Sequence, residues 1–147
     1  MYTGLDIARF IIDFCYSYGR PVSNLELQKI LYFLQVAYMR HNNGRELISD
    51  DFCAWQYGPV IPSVYSIFSA YGGALIKNSY NASNIVASIA DFIRPLIRTL
   101  ESMGPWALVD LSHEKGSPWD ITYKKGRGNG EIIPKTLIAE DDALDWW

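Results

Sequence analysis

The chain has 147 residues, of which 49% are hydrophobic, 20% charged and 14% aromatic, which suits a single domain, 1–147, with a core that needs neither metal nor disulfide, and excludes a mostly disordered chain. Net charge is −3, but residues 140–147 hold four acids and no base, so the remainder carries 13 bases against 12 acids. Nucleic acid is therefore a poor fit, with Lys124, Lys125 and Arg127 as the one basic cluster, and no window offers the roughly 18 continuous apolar residues of a membrane span.

From the N-terminus, Ile7, Phe10, Ile11, Phe14, Cys15 and Tyr18 recur at helical spacing and leave Arg9, Asp13 and Ser17 facing outward. Thr3 with Asp6 predicts the cap of this helix, and Gly19 followed by Pro21 its end. Ser23 and Glu26 form a Ser-x-x-Glu capping pattern that opens a second helix running to about Arg40. Eleven of the fifteen residues from Leu25 to Met39 are apolar and fall on every side, which predicts the central helix of the molecule. Its few polar residues, Gln28, Tyr32 and Gln35 with Lys29 beside them, share one face. Buried amides need partners, so this face either bonds to a neighbouring loop, the favoured reading, or lines a cleft.

Phe52 to Tyr57 is short, aromatic and extended, and Gly58-Pro59 ends it, as expected of one strand or hairpin arm. Pro59 and Pro62 precede a third helix through Val64, Ile67, Phe68 and Tyr71, closed by Gly72-Gly73. A polar loop over 78–84 leads to a longer helix from about Ile85 to Met103, in which Pro95 predicts a kink or a break. Gly104-Pro105 starts a short helix ending near Ser112, and Gly116-Ser117-Pro118-Trp119 follows as a loop. Gly126 to Gly130 reads as a flexible turn, and the tail beyond Gly130 carries little pattern. The expected fold class is mainly α, a compact helical bundle around a central apolar helix with a small β strand or hairpin.

Chemistry-bearing motifs are sparse. There is no nucleophile elbow and no phosphate-binding loop, and His41 and His113 lack the spaced His or Cys partners that a metal would need, so neither cofactor nor metal is expected. Cys15 and Cys53 read as small buried apolar groups in a reducing cytoplasm. No Lys or Arg precedes Arg9, which argues against a secretory leader and for a cytoplasmic chain. His113, Glu114 and Asp120 offer an acid/base group, weighed against the plainer reading that His113 braces the loop before Trp119.

Three ordered segments, Leu27-Gln28-Lys29-Ile30-Leu31-Tyr32, then Trp55-Gln56-Tyr57-Gly58-Pro59-Val60 through Tyr65, then Ser112-His113-Glu114 with Pro118-Trp119, resemble the signature of the Panacea domain. That family takes in SocA-like antitoxins and phage-associated GepA proteins. Ser112 stands where the family often has Thr. The resemblance implies an antitoxin of a toxin-antitoxin system that neutralises its cognate protein toxin by direct binding, in one branch as an adaptor that delivers the toxin to a cellular protease. It also singles out Gln28, Lys29, Tyr32, Trp55, Tyr57, Gly58, Pro59, Tyr65, His113, Pro118 and Trp119 as partner-binding or scaffold residues, with no catalytic role expected.

Two other classes compete with that reading. A small hydrolase or transferase would work through His113 and Glu114 with Lys29 and would show a concave polar pocket. A transcriptional autoregulator would need a basic face, which a body of net charge +1 outside residues 140–147 does not supply. The acidic Glu140 to Trp147 end is either a separable partner-binding element or a final segment packed on the core through Leu144, Trp146 and Trp147.

Overall fold

The computed structural model describes residues 1–147 and contains seven α-helices and one small hairpin. Helix α1 (Gly4–Ser17) opens on the expected cap: Thr3 Oγ1 accepts the Asp6 N–H at 3.1 Å, and the Asp6 carboxylate accepts the Thr3 N–H at 3.3 Å. Helix α2 (Asn24–His41) is the predicted centre, with every residue from Glu26 to Ala37 buried. Ser23 caps it by accepting the Glu26 N–H at 3.3 Å, but Glu26 does not return the bond. Its side chain is buried, and burial together with the nearby Glu101 raises its pKa to about 7.

Strands β1 (Cys53–Trp55) and β2 (Gly58–Val60) form an antiparallel hairpin, paired Cys53 to Val60 and Trp55 to Gly58, with Gln56 and Tyr57 at the turn. The third predicted helix divides into α3 (Pro62–Ile67) and a 3-10 turn, Ser69–Tyr71. Helix α4 (Ala87–Met103) passes through Pro95 without a break. Pro95 lies on the exposed side, where the Asp91 carbonyl that it deprives of a partner meets water. Helix α5 (Pro105–Ser112) follows as expected.

The segment expected as a Trp-bearing loop is instead α6 (Pro118–Tyr123), whose N-cap Ser117 accepts the Asp120 N–H at 3.1 Å. A last short helix, α7 (Lys135–Ala139), lies in the stretch where the sequence carries little pattern. Asp13, expected to face outward, accepts the Tyr80 and Ala82 N–H groups at 2.6 and 2.7 Å and pins the polar loop to α1. Cys15 is buried, whereas Cys53 is only half-buried, and both are free thiols. No helix is long and apolar enough to cross a membrane.

One cluster of 34 buried apolar residues draws on α1, α2, α4, β1 and the tail. The tail is docked rather than separable from it. Leu144 is fully buried, Asp141 accepts the Tyr32 O–H at 2.6 Å and the Ala143 N–H at 2.9 Å, and the Arg40 guanidinium donates to the Asp141 carbonyl. Of Leu144, Trp146 and Trp147, only Trp146 stays largely exposed, at 58%.

Candidate functional site

The polar face of α2 is spent inside the molecule. Gln35 Oε1 accepts the N–H groups of Leu47 and Ile48, both at 2.9 Å, and its Nε2 donates to the Ile48 carbonyl at 3.0 Å, so one amide stands in for a strand partner. Gln28 Oε1 accepts the Ile61 N–H at 3.0 Å and its Nε2 donates to Asn24 Oδ1 at 3.1 Å, while Asn24 in turn donates to the Tyr65 carbonyl at 3.0 Å. Tyr32 reaches the tail. Burial and the adjoining Asp141 carboxylate hold its phenol well above the ordinary pKa.

Lys29 is fully buried and donates to the Pro59 carbonyl at 2.8 Å. No carboxylate pairs with it, since the ion pairs lie at Arg94 and Lys135. Burial alone lowers its pKa to about 7. On the other side of the hairpin, Trp119 Nε1 donates to the Trp55 carbonyl at 2.7 Å. Between these two clamps lies Gly58, at φ 108°, where a Cβ would come 2.6 Å from Ser112 Oγ and 2.8 Å from Lys29 Cε. Only glycine meets both the conformation and the space.

His113 stacks flat on Trp119, with ring centroids 3.7 Å apart, and Trp119 stacks on Tyr123 at 4.5 Å. Burial, then the nearby Lys29, lower the His113 pKa, and Asp110 and Asp120 only partly oppose them. Its Nε2 is buried without a partner. Asp120 accepts the Gly116 N–H at 2.9 Å, and no hydrogen bond joins His113 to Glu114 or Asp120, so the proposed acid/base group is not assembled. Pro118 is buried at the first position of α6.

The three sequence segments thus converge on one hairpin, whose strand β2 packs against α2 and α5 and whose strand β1 packs against α6. What they leave at the surface is aromatic. Tyr57 is 50% exposed at the hairpin turn and meets Trp106 of α5, 59% exposed, edge to face at 5.7 Å. Half-buried Trp55 meets Tyr65 of α3 at 5.1 Å. These four rings line a cleft of about 750 Å³ together with Asn24, Gln28 and Lys29 of α2 and with Asn129 and Gly130. Sequence reasoning missed Trp106, Ser112 and Asn24. Gly104-Pro105 does mark the helix that carries Trp106, but the exposure of that ring follows from packing alone.

A family model described as "Antitoxin SocA-like, Panacea domain" matches residues 27–120, a stretch that contains every singled-out residue from Gln28 to Trp119. The chain belongs to that family. It is similar to Antitoxin SocA of Caulobacter vibrioides (strain NA1000 / CB15N), with 33% identity over 127 residues, covering 78% of this chain and 67% of the relative. No solved structure matches it. In this Panacea chain Lys29 bonds to the hairpin, Gln28 to the Ile61 N–H just beyond it and Tyr32 to the tail, while Trp55, Tyr57 and Tyr65 line the cleft.

Proposed function

We propose that this chain, acting as one unit over 1–147, is an antitoxin that silences a protein toxin by direct binding through the aromatic rim of the hairpin cleft. The observation that carries the reading is its kinship with Antitoxin SocA across most of both chains. The geometry supports the mode. Lys29 and Gln28 are committed to internal bonds and His113 is not bonded to Glu114, whereas large aromatic side chains, the residues that dominate protein recognition, stand exposed on a braced support. Gln28, Lys29, Tyr32, Gly58, Pro59, His113, Pro118 and Trp119 act in this reading as scaffold, and Trp55, Tyr57 and Tyr65 as contact residues.

Co-expression with the product of the neighbouring gene tests it. Restored growth, with the two proteins co-purifying, is the expected result. The amount of toxin present then separates two routes: undiminished toxin means blockade, and toxin that disappears faster means delivery to a cellular protease. Growth that stays arrested, with no complex formed, overturns the reading.

A further inference from the structure

The cleft wall continues into the one basic cluster of the chain. Asn129 and Gly130 line the cleft, and Lys124, Lys125 and Arg127 stand exposed immediately before them in the chain, none in an ion pair. Lys124 and Lys125 both adopt left-handed backbone conformations, φ 52° and 57°, which residues with a Cβ rarely take in succession. The surroundings impose that shape. The Gly128 N–H donates to the Tyr123 carbonyl at 2.8 Å, a Cβ on Gly128 would collide with the Thr122 carbonyl, and the Gly130 N–H donates to the Ala54 carbonyl of the hairpin at 2.7 Å. The segment expected as a flexible turn is therefore tied at both ends by its backbone, and its three bases directly precede the cleft-lining Asn129 and Gly130 in the chain. Two acids flank the loop: the Glu131 carboxylate lies against Gly128, and Asp120, four residues before Lys124, is engaged by the Gly116 N–H. The rest of the cleft offers no exposed charge, because Lys29 in its lining is fully buried.

We infer that the segment of the partner received here is acidic and carries a bulky apolar side chain, which enters the ring-walled cleft while its carboxylates meet Lys124, Lys125 and Arg127. This rests on the partner-binding reading above and adds to it the chemistry of the bound segment. Charge complementarity favours an acidic ligand, since the loop presents three exposed bases that no ion pair neutralises. A concave apolar notch next to the charges favours a protein side chain over a phosphate backbone, which is gripped by many more bases spread along a track.

The test is selection of short peptides from a random display library on the immobilised full chain, followed by titration of the enriched peptide. Enriched sequences are expected to combine Asp or Glu with Trp, Phe or Leu. Reversal of the loop, Lys124→Glu with Lys125→Glu and Arg127→Glu, should weaken binding about tenfold or more and remove most of its salt dependence. Trp106→Ala should weaken it about tenfold with the salt dependence kept. Arg127→Glu alone, at an ordinary φ of −66°, keeps the experiment decisive if the triple variant fails to fold. Neutral or basic peptides, no enrichment, or affinities indifferent to both changes overturn the proposal. So does binding of a short DNA duplex that the loop reversal abolishes when no peptide is enriched. Unrescued growth with an acidic, apolar peptide still selected would count against the antitoxin reading alone. A rescued toxin whose binding ignores both variants would count against this proposal alone.

Discussion

Gln28 and Lys29 of α2 and the rings of Trp55, Tyr57, Tyr65 and Trp106 line the same cleft, and the two sets reverse the usual assignment of roles. Lys29, Gln28, Gln35 and Tyr32 have the side chains expected of a chemical site, yet each is buried and bonded within the molecule. Tyr57, Trp106 and Tyr65 have side chains expected of a core, yet they stand exposed. A buried donor or acceptor left unpaired costs about 1–3 kcal/mol, so the polar residues are held where a backbone group needs them. An exposed ring carries no such obligation. It is free to bury its surface against something else, and the two regions should therefore answer mutation in opposite ways.

The brace should break most visibly at Trp119. Its indole N–H holds the Trp55 carbonyl, and its faces are covered by His113 and Tyr123. Trp119→Ala should cost about 3–5 kcal/mol and lower the melting temperature by roughly 10 °C, with His113→Ala a milder version of the same loss. Thermal melts beside growth rescue decide the matter: unchanged melting with lost neutralisation would move both residues to the contact surface.

The next largest effect belongs to the tail. Deleting residues 140–147 removes the buried Leu144 and strips the Tyr32 hydroxyl and the Arg40 guanidinium of their Asp141 partner. A loss of about 2–4 kcal/mol is expected, and Tyr32→Phe should account for roughly half of it. Urea midpoints of the two variants measure both. A truncated chain as stable as the whole would return the tail to the separable, contact-making role that its composition also allows.

How far the sequence alone reached follows the same division. Helices α1 and α2 were legible because long runs of side chains repeat at one period, and the internal bonding of Gln28 and Gln35 followed from the cost of burying amides. One arm of the hairpin was legible as an aromatic run, but Gly58 and Pro59, expected to end it and lead into a helix, form the second strand. Helix α6 was missed because six residues are too few to show a period, although Ser117 and Asp120 do carry a capping pattern. The docking of the tail could not be read, since Tyr32 and Asp141 meet across 109 positions of sequence. Nor could the confinement of Gly128, which depends on where the Thr122 carbonyl lies. Local rules report local order, and the candidate site is assembled from contacts distant along the chain.

Titration sharpens the comparison further, because the brace contains buried ionisable groups and the rim contains none. Glu26 has a pKa of about 7 in the fold against an ordinary 4.5, so between those values the folded chain keeps a proton that the unfolded chain has released, and stability falls as pH rises through that window. Lys29 has a pKa of about 7 against an ordinary 10.5, so from 7 upward the unfolded chain keeps a proton that the folded chain has lost, and stability rises. The two limbs meet in a minimum near neutral pH. Glu26→Gln should flatten the acid limb and Lys29→Met the alkaline one in urea melts taken across pH. Limbs that survive these changes would place the titration elsewhere.

The smallest effect on stability should come from the rim, and there it is the absence of a loss that carries the argument. Tyr57 is half exposed at the hairpin turn, and its recorded ring contact is the edge-to-face meeting with Trp106. Tyr57→Ala should therefore change stability by less than about 1 kcal/mol, because an aromatic pair in contact with water contributes little and no buried polar group is uncovered. Neutralisation should nonetheless weaken, since a binding surface built from a few large rings concentrates its affinity in them. Melting and rescue measured on the same variant separate the two regions. A Tyr57→Ala chain that melts several degrees early would make the turn part of the brace, and one that both melts and rescues like the parent would exclude the hairpin tip from the contact surface.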